Sequence, residues 1–215
     1  MRVLITSGAT REPIDSVRYI SNISTGKTGA EIAKSFARAG IDTVLICGQG
    51  AERPQGEMKV KEYSSFKNLD QMLQDELGQH PFDAIIHAAA VSDFSVPHPH
   101  PGKMSSETDE INLRLIRNFK IVERLKDYAK YSPSIRVIAF KLTDTPDAQE
   151  QMRAIQRLSQ HSKIDWVVHN DLTEITPASQ HSFSIFSRDQ KIARGKTKQE
   201  LADTLLNLIQ EKLTS

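Results

Sequence analysis

The stretch Ile20 to Glu31, ISNISTGKTGAE, contains Gly26-Lys27-Thr28, the residue types that close a phosphate-binding loop. In a Walker-type NTPase a G-x-x-x-x-G-K-[ST] loop joins a strand directly to a helix, and its backbone N–H groups and lysine hold the phosphates. Counting back from Gly26, the first glycine falls on position 21, which is Ser21, and the segment begins well after the first strand pattern ends. The pattern argues against a Walker loop. Ser24, Thr25, Gly26 and Gly29 still stand where a helix begins. Free N–H groups and the helix dipole suit an anion there, although a plain helix start has the same composition. A dinucleotide fingerprint fares no better. The first strand runs into SGATRE, with Gly8 but no G-x-G-x-x-G, the second ends at Cys47-Gly48-Gln49, with no acid for a ribose diol, and no Tyr-x-x-x-Lys oxidoreductase pair is expected. His98 and His100 alternate with prolines, which is weak support for a metal site. Cys47 lies in an apolar run with no positive neighbour in its strand and reads as core.

The elements that must position these residues follow from periodicity. Strand patterns lie at Arg2–Thr6, Asp42–Cys47, Met58–Tyr63 (weaker), Asp83–Ala90, Arg136–Leu142 and Asp165–Asn170. Helical spacing covers Lys27–Ala39, with Gly40 suited to its C-terminal cap, then Phe66–Leu77, NFKIVERLKDYA (118–129) and Asp147–Gln160. SFSIFSRDQKIAR (182–194) reads as a hairpin. The last helix opens with Thr197 and Glu200 at capping-box spacing. Strands alternating with helices predict one α/β domain over 1–215, Rossmann-like and doubly wound, with a mostly parallel sheet and an antiparallel edge hairpin. Ligands then sit at the carboxyl ends of the strands, which brings together TSGATREP, HAAAVSDF, FKLTD and HNDL. Val91–Glu110, rich in Pro, Ser and His, is a long loop of the kind that is usually functional or disordered. INLRLI (111–116) alternates like a half-buried strand.

With 28 basic and 27 acidic residues, the net charge of +1 provides no global field for nucleic acid or a membrane surface. One cysteine excludes an internal disulfide, and no apolar run approaches the roughly 20 residues of a membrane span. The chain starts directly on a strand pattern, so neither a signal peptide nor a preceding domain is expected, and a cytoplasmic location follows.

Thr6–Gly29, TSGATREPIDSVRYISNISTGKTG, resembles the opening of phosphopantothenate–cysteine ligase, whose segment runs close to T-S-G-G-T-x-E-P-I-D-x-V-R-x-I-S-N-x-S-S-G-K-x-G. The resemblance continues through AAAVSDF (Ala88–Phe94), the loop Lys103-Met104-Ser105-Ser106, LRLIRNFKIVERL, FKLTD, VVHNDL and KTKQELA, spanning nearly the whole chain. It implies a coenzyme A biosynthetic ligase. A nucleoside triphosphate, CTP with ATP as the alternative, activates the carboxylate of 4′-phosphopantothenate as an acyl-nucleotidylate. Cysteine then displaces the nucleoside monophosphate. Mg²⁺ is the implied metal, with its ligands unassigned. Asn22 matches the residue that covers the acyl-phosphate, and Lys103 a mobile-loop lysine on the nucleotide phosphates; these are the implied catalytic pair. Ala88, Ala89, Asp93, Phe119, Lys120, Ile121 and Phe140 match nucleotide contacts. Gly8, Arg18, Asn22 and Ala90 match the substrate side, with an Asp15–Arg18 surface ion pair as the plain alternative for Arg18. Lys163 matches only loosely. The resemblance further implies a homodimer, with a flap from Val91–Glu110 and 111–116 crossing to the partner and carrying Lys103, and a decarboxylase on a separate chain acting next. Two departures, Ala9 for glycine and Phe119 for proline, leave a catalytically inactive nucleotide-binding module open as an alternative.

Overall fold

The computed structural model describes residues 1–107, 109–160, 163–174 and 181–213. Six strands run parallel: β1 (Arg2–Ser7), β4 (Asp42–Gly48), β5 (Lys59–Tyr63), β6 (Ala84–His87), β9 (Arg136–Thr143) and β10 (Trp166–Asp171). The antiparallel pair β11 (Phe183–Ser187) and β12 (Gln190–Gly195) completes one edge, giving the order β12-β11-β10-β9-β6-β1-β4-β5. Counting only the parallel strands, this is the 3-2-1-4-5-6 order of a doubly wound sheet, whose direction of travel reverses between β1 and β6.

Consecutive strand residues point to opposite faces, and both faces are covered. Leu4, Val44, Ile85, Val137 and Val167 pack beneath α2 (Phe66–Gln79), the single turn α3 (Leu125–Tyr128) and α4 (Ala148–Ser159). Val3, Ile5, Leu45, Ile86, Ile138 and Val168 meet α1 (Lys27–Arg38) and α5 (Lys198–Leu213) through Ile32, Phe36, Leu201 and Leu205. Double coverage explains why the strands are apolar runs rather than alternating patterns. Caps follow their local chemistry. The Ser65 hydroxyl accepts from Asn68 N at the start of α2, and Asp147 from Gln149 N at α4. Thr197 Oγ1 accepts from Glu200 N at 2.9 Å, and the Glu200 carboxylate reaches back to Lys196 N, one residue before the position that a capping box specifies.

Three local expectations are corrected. The strand expected over Asp83–Ala90 ends at His87, where its pairing with β9 stops; 88–90 keep hydrogen bonds only to the β1 side. The helix expected over 118–129 is a short 3₁₀ turn, Ile121–Glu123, followed by α3, since Asn118 and Lys120 are engaged elsewhere. Residues 111–116 are not half-buried. Ile111, Leu113, Leu115 and Ile116 are all exposed, and only Ile116–Arg117 (β8) forms a strand, paired with β7 (Phe94–Ser95). The Val91–Glu110 loop, apart from residue 108, which lies outside the described residues, makes hydrogen bonds within its own chain. It is tied to residues 14–18 by His100 N to Ile14 O (2.8 Å) and Ser16 N to Gly102 O (3.4 Å).

Candidate functional site

The site is built at the carboxyl ends of the neighbouring strands β1 and β6, where the chain connections leave in opposite directions. β1 ends at Gly8, whose φ of 76° places it in the left-handed region. The chain then leaves the sheet as a small hairpin, β2 (Arg11–Pro13) and β3 (Tyr19–Ser21), and returns at Gly26 to start α1. Gly26 also has a positive φ, and a Cβ there would lie 3.2 Å from Gly8 N, so the two glycines touch. A Cβ on Gly29 would come within 2.4 Å of Ser7 Cβ, so its absence lets α1 pack against β1. Gly8, Gly26 and Gly29 thus take the three positions of a dinucleotide-binding turn, for the bend, the close approach and the helix packing, with the hairpin inserted after the first. The G-x-G-x-x-G spacing does not reveal this turn, because the hairpin separates the first glycine from the other two. The signal lay in Gly26-Lys27-Thr28-Gly29, a G-x-x-G opening a helix. Gly26 supplies no side-chain cap and the first turn of α1 holds no acid, so its amides face outward without a local anion.

Across the switch point, Ala88–Ala90 stay paired to the end of β1. Ala88 N donates to Thr6 O (3.2 Å), Ala89 N to Thr6 Oγ1 (3.1 Å) and Ala90 N to Gly8 O (2.8 Å). Thr10 N and Oγ1 bond to Ala90 O and Ser92 N, and Ser21 Oγ donates to Thr10 O. This lattice carries Asn22 to the rim, where its exposed side-chain amide donates to Val91 O at 3.2 Å. Gly8, Asn22, Ala88, Ala89 and Ala90 are therefore brought together as expected. Beneath them, Thr6 Oγ1 lies 2.9 Å from Nδ1 of the buried His87, and burial lowers the His87 pKa to about 4, so that ring is neutral. Tyr63 and Lys67 are four apart, the spacing of an oxidoreductase Tyr-x-x-x-Lys pair. The Tyr63 phenol, however, is buried and donates to Ser7 O and Gly8 O, and burial pushes its pKa well up. It is a structural clamp beneath the glycine turn.

Asp93 and Lys120 form an ion pair, and Asn118 N donates to Asp93 O at 2.8 Å, so two of the expected nucleotide residues meet. Two residues that the sequence reading passed over hold this corner. Glu12, only 3% exposed, accepts from Phe66 N (2.8 Å) at the start of α2 and from Ser95 Oγ (2.7 Å). Asn118 Nδ2 donates to Ser92 O and Ser95 Oγ. The motif positions were their only signal. Phe119 packs edge-on against Phe66, and Arg124 stacks 3.4 Å over its ring centroid. Ile121 is buried in the core, leaving its backbone as the available part. Phe140 is not beside Phe119, for it packs on the opposite face of the sheet with Ile138 and α5. At the ends of β9 and β10, Thr143 Oγ1 bridges His169 Nε2 (2.8 Å) and Asp171.

Lys103 is exposed, but its neighbours are fixed. The Asp15 carboxylate accepts from Val17 N, Arg18 N, Arg18 Nη1 (2.6 Å) and Met104 N (3.1 Å), and Arg18 Nη1 also reaches Met104 O. Burial alone would raise the Asp15 pKa; those amides and the guanidinium outweigh it and lower it to about 2. Arg18 is thus ion-paired within its own chain, the plain alternative. Lys163 pairs with Asp127 and the His100 ring bonds Gly102, whereas Cys47 is buried in register with Ser7 at the end of β1. No cluster of three metal-ligating side chains occurs among the described residues, and none of their helices is long and apolar enough to cross a membrane.

The family model for the DNA/pantothenate metabolism flavoprotein C-terminal domain matches residues 1–213. The coenzyme A biosynthesis bifunctional protein CoaBC of Methanocaldococcus jannaschii is 37% identical over 80% of the chain and 41% of its own length. That of Thermococcus kodakarensis is 31% identical over 99% of the chain and 51% of its own length. The chain spans about half the length of the curated relatives it matches. Among solved structures, the DNA/pantothenate metabolism flavoprotein from Streptococcus pneumoniae superposes with a TM-score of 0.87 at 29% identity, covering 99% of both chains. With its sheet order, its glycine turn and a match over residues 1–213, this chain belongs to the DNA/pantothenate metabolism flavoprotein C-terminal domain family.

Proposed function

We propose that the chain is a phosphopantothenate–cysteine ligase, joining 4′-phosphopantothenate to cysteine by way of an acyl-nucleotidylate. The observation that carries this reading is the junction of the Ile20-Ser21-Asn22 hairpin with Ala88–Asp93 at the switch point, where Asn22 reaches Val91 O. A carboxylate is a poor acyl donor and must be activated. Its oxygen attacks the α-phosphorus of CTP, and pyrophosphate leaves. The cysteine amine then attacks the acyl carbon, and CMP leaves. Such chemistry calls for positioning and charge neutralisation rather than a covalent nucleophile. Asn22 holds the acyl-phosphate through amide donors that do not compete as nucleophiles. Lys103 closes over charge developing at the α-phosphate, and the amides opening α1 face the phosphate chain. Ala88, Ala89, Asp93 and Lys120 border the nucleoside. ATP is the alternative nucleotide.

The described residues do not form a cage for a resident Mg²⁺. Mg²⁺ in this reading would be carried in by the nucleotide and would offset phosphate charge. The two departures do not favour the inactive module. Ala9 is not among the positive-φ residues, so alanine is unstrained there, and Phe119 is held between Phe66 and Arg124. A homodimer in the cytoplasm, sharing its flap, and a decarboxylase acting next complete the proposal.

Incubation with 4′-phosphopantothenate and either CTP or ATP, without cysteine, tests the activation step. Pyrophosphate release requiring the acid is the expected result. Tight nucleotide binding with no release would favour the inactive module, and faster release with ATP would overturn the CTP assignment.

A further inference from the structure

On the β4 side of the glycine turn lies an open cleft of about 280 Å³, whose lining includes Ala9, Arg11, Tyr19, Asn22, Ser24 and Gln49. Arg11 is the one charged residue in that lining. Its backbone is fixed by β2 pairing and by Arg11 N to Ser64 O at 2.8 Å. Its guanidinium is fixed as well. It stacks 4.8 Å over the Tyr19 ring centroid, and Nη2 passes so close to Gly50 that a Cβ there would be 2.6 Å away. Among the described residues this guanidinium has no hydrogen-bonded or ion-paired acceptor, whereas Arg18 and nearby Arg53 are spent on Asp15 and Glu62. A half-buried, pre-oriented fork of donors facing an acid-free cleft is built for an anion, and a phosphate matches its geometry.

We propose that Arg11 and this cleft form the subsite for the pyrophosphoryl end of the nucleotide. The proposal rests on the ligase reading above. Asn22 stands on the rim of the cleft and bonds across to Val91 O, which puts the Ala88–Asp93 strip on its other side. With the α-phosphate at Asn22 and the nucleoside along that strip, the phosphate tail is directed over the glycine turn into the Arg11 cleft. As the carboxylate oxygen bonds to the α-phosphorus, the bond from that phosphorus to the bridging oxygen breaks. The electron pair stays on the departing pyrophosphate and no proton moves. The new negative charge therefore appears beside a fixed cation that needs no reorganisation.

Calorimetric titration with inorganic pyrophosphate, CMP and 4′-phosphopantothenate reads each subsite without turnover. Arg11→Gln is expected to weaken pyrophosphate roughly tenfold or more, with CMP and 4′-phosphopantothenate held within about twofold. Arg11→Lys, which keeps the charge but loses the planar fork, falls between, and its unfolding midpoint serves as the folding control. Wild-type binding of all three ligands with unchanged pyrophosphate affinity in Arg11→Gln overturns the subsite and leaves the ligase reading standing. Selective loss of 4′-phosphopantothenate also overturns it, because the cleft then takes the pantothenate phosphate. A wild-type chain that binds none of the three overturns the ligase reading and the subsite together.

Discussion

Asn22 is exposed and makes a single side-chain bond, to Val91 O, so little of the fold depends on it. Asn22→Ala is expected to unfold at the wild-type temperature while losing roughly 10²- to 10³-fold in kcat, with KM changing far less. Wild-type turnover would remove Asn22 from the mechanism. Lys103→Ala is expected to slow pyrophosphate formation, read by single-turnover quench; slowing confined to the cysteine step would contradict its charge role. Asp15 bears on both, since it holds Met104 N and Arg18. Its pKa of about 2 lies below that of a free carboxylate, so its contribution is complete above about pH 4 and is lost as pH falls through 2. At neutral pH, Asp15→Asn is expected to speed hydrogen exchange at Met104 and slow pyrophosphate formation several-fold. Unchanged exchange would mean that this carboxylate does not anchor the lysine loop.

At the scale of elements, the glycine turn and the paired ends of β1 and β6 frame the proposed ligand site. Gly29→Ala forces a methyl against Ser7 and should cost about 1–3 kcal/mol in urea unfolding, with α1 pushed off β1. His87 connects β6 to β1 as a neutral ring. Its folded pKa of about 4 is below the unfolded value, so stability is complete above about pH 6.5 and falls as pH drops toward 4, by up to ~3 kcal/mol. His87→Gln should flatten that slope, and an unchanged slope would assign the acid loss to other groups. The alternation of these elements was legible because strands covered on both faces are apolar throughout. The β2–β3 hairpin was not, since three-residue strands such as REP and YIS carry no periodicity. The helix expected over 118–129 broke because tertiary bonds of Asn118 and Lys120 outweighed a correct local spacing. Of the site, Asn22 and Ala88–Ala90 were legible through motif resemblance. The roles of Glu12 and Arg11 were not, because a carboxylate between two elements and an arginine over a tyrosine depend on contacts distant in sequence.

For the whole molecule, Ile111, Leu113 and Leu115 alternate along one exposed row, with Ile116 exposed beside it. If it crosses to a partner as proposed, light scattering at micromolar concentration gives a dimer, and Leu113→Glu gives a monomer with activity reduced at least tenfold. A fully active wild-type monomer would end the shared-flap idea. The proposed reaction requires this fold to form an amide through a nucleotide-activated carboxylate. The most direct test is to supply the purified chain with CTP, 4′-phosphopantothenate and cysteine, and to follow pyrophosphate, CMP and the amide product together. One of each per turnover is expected, and none of the amide when any substrate is withheld. Nucleotide binding without amide product, or pyrophosphate release that ignores 4′-phosphopantothenate, would contradict it.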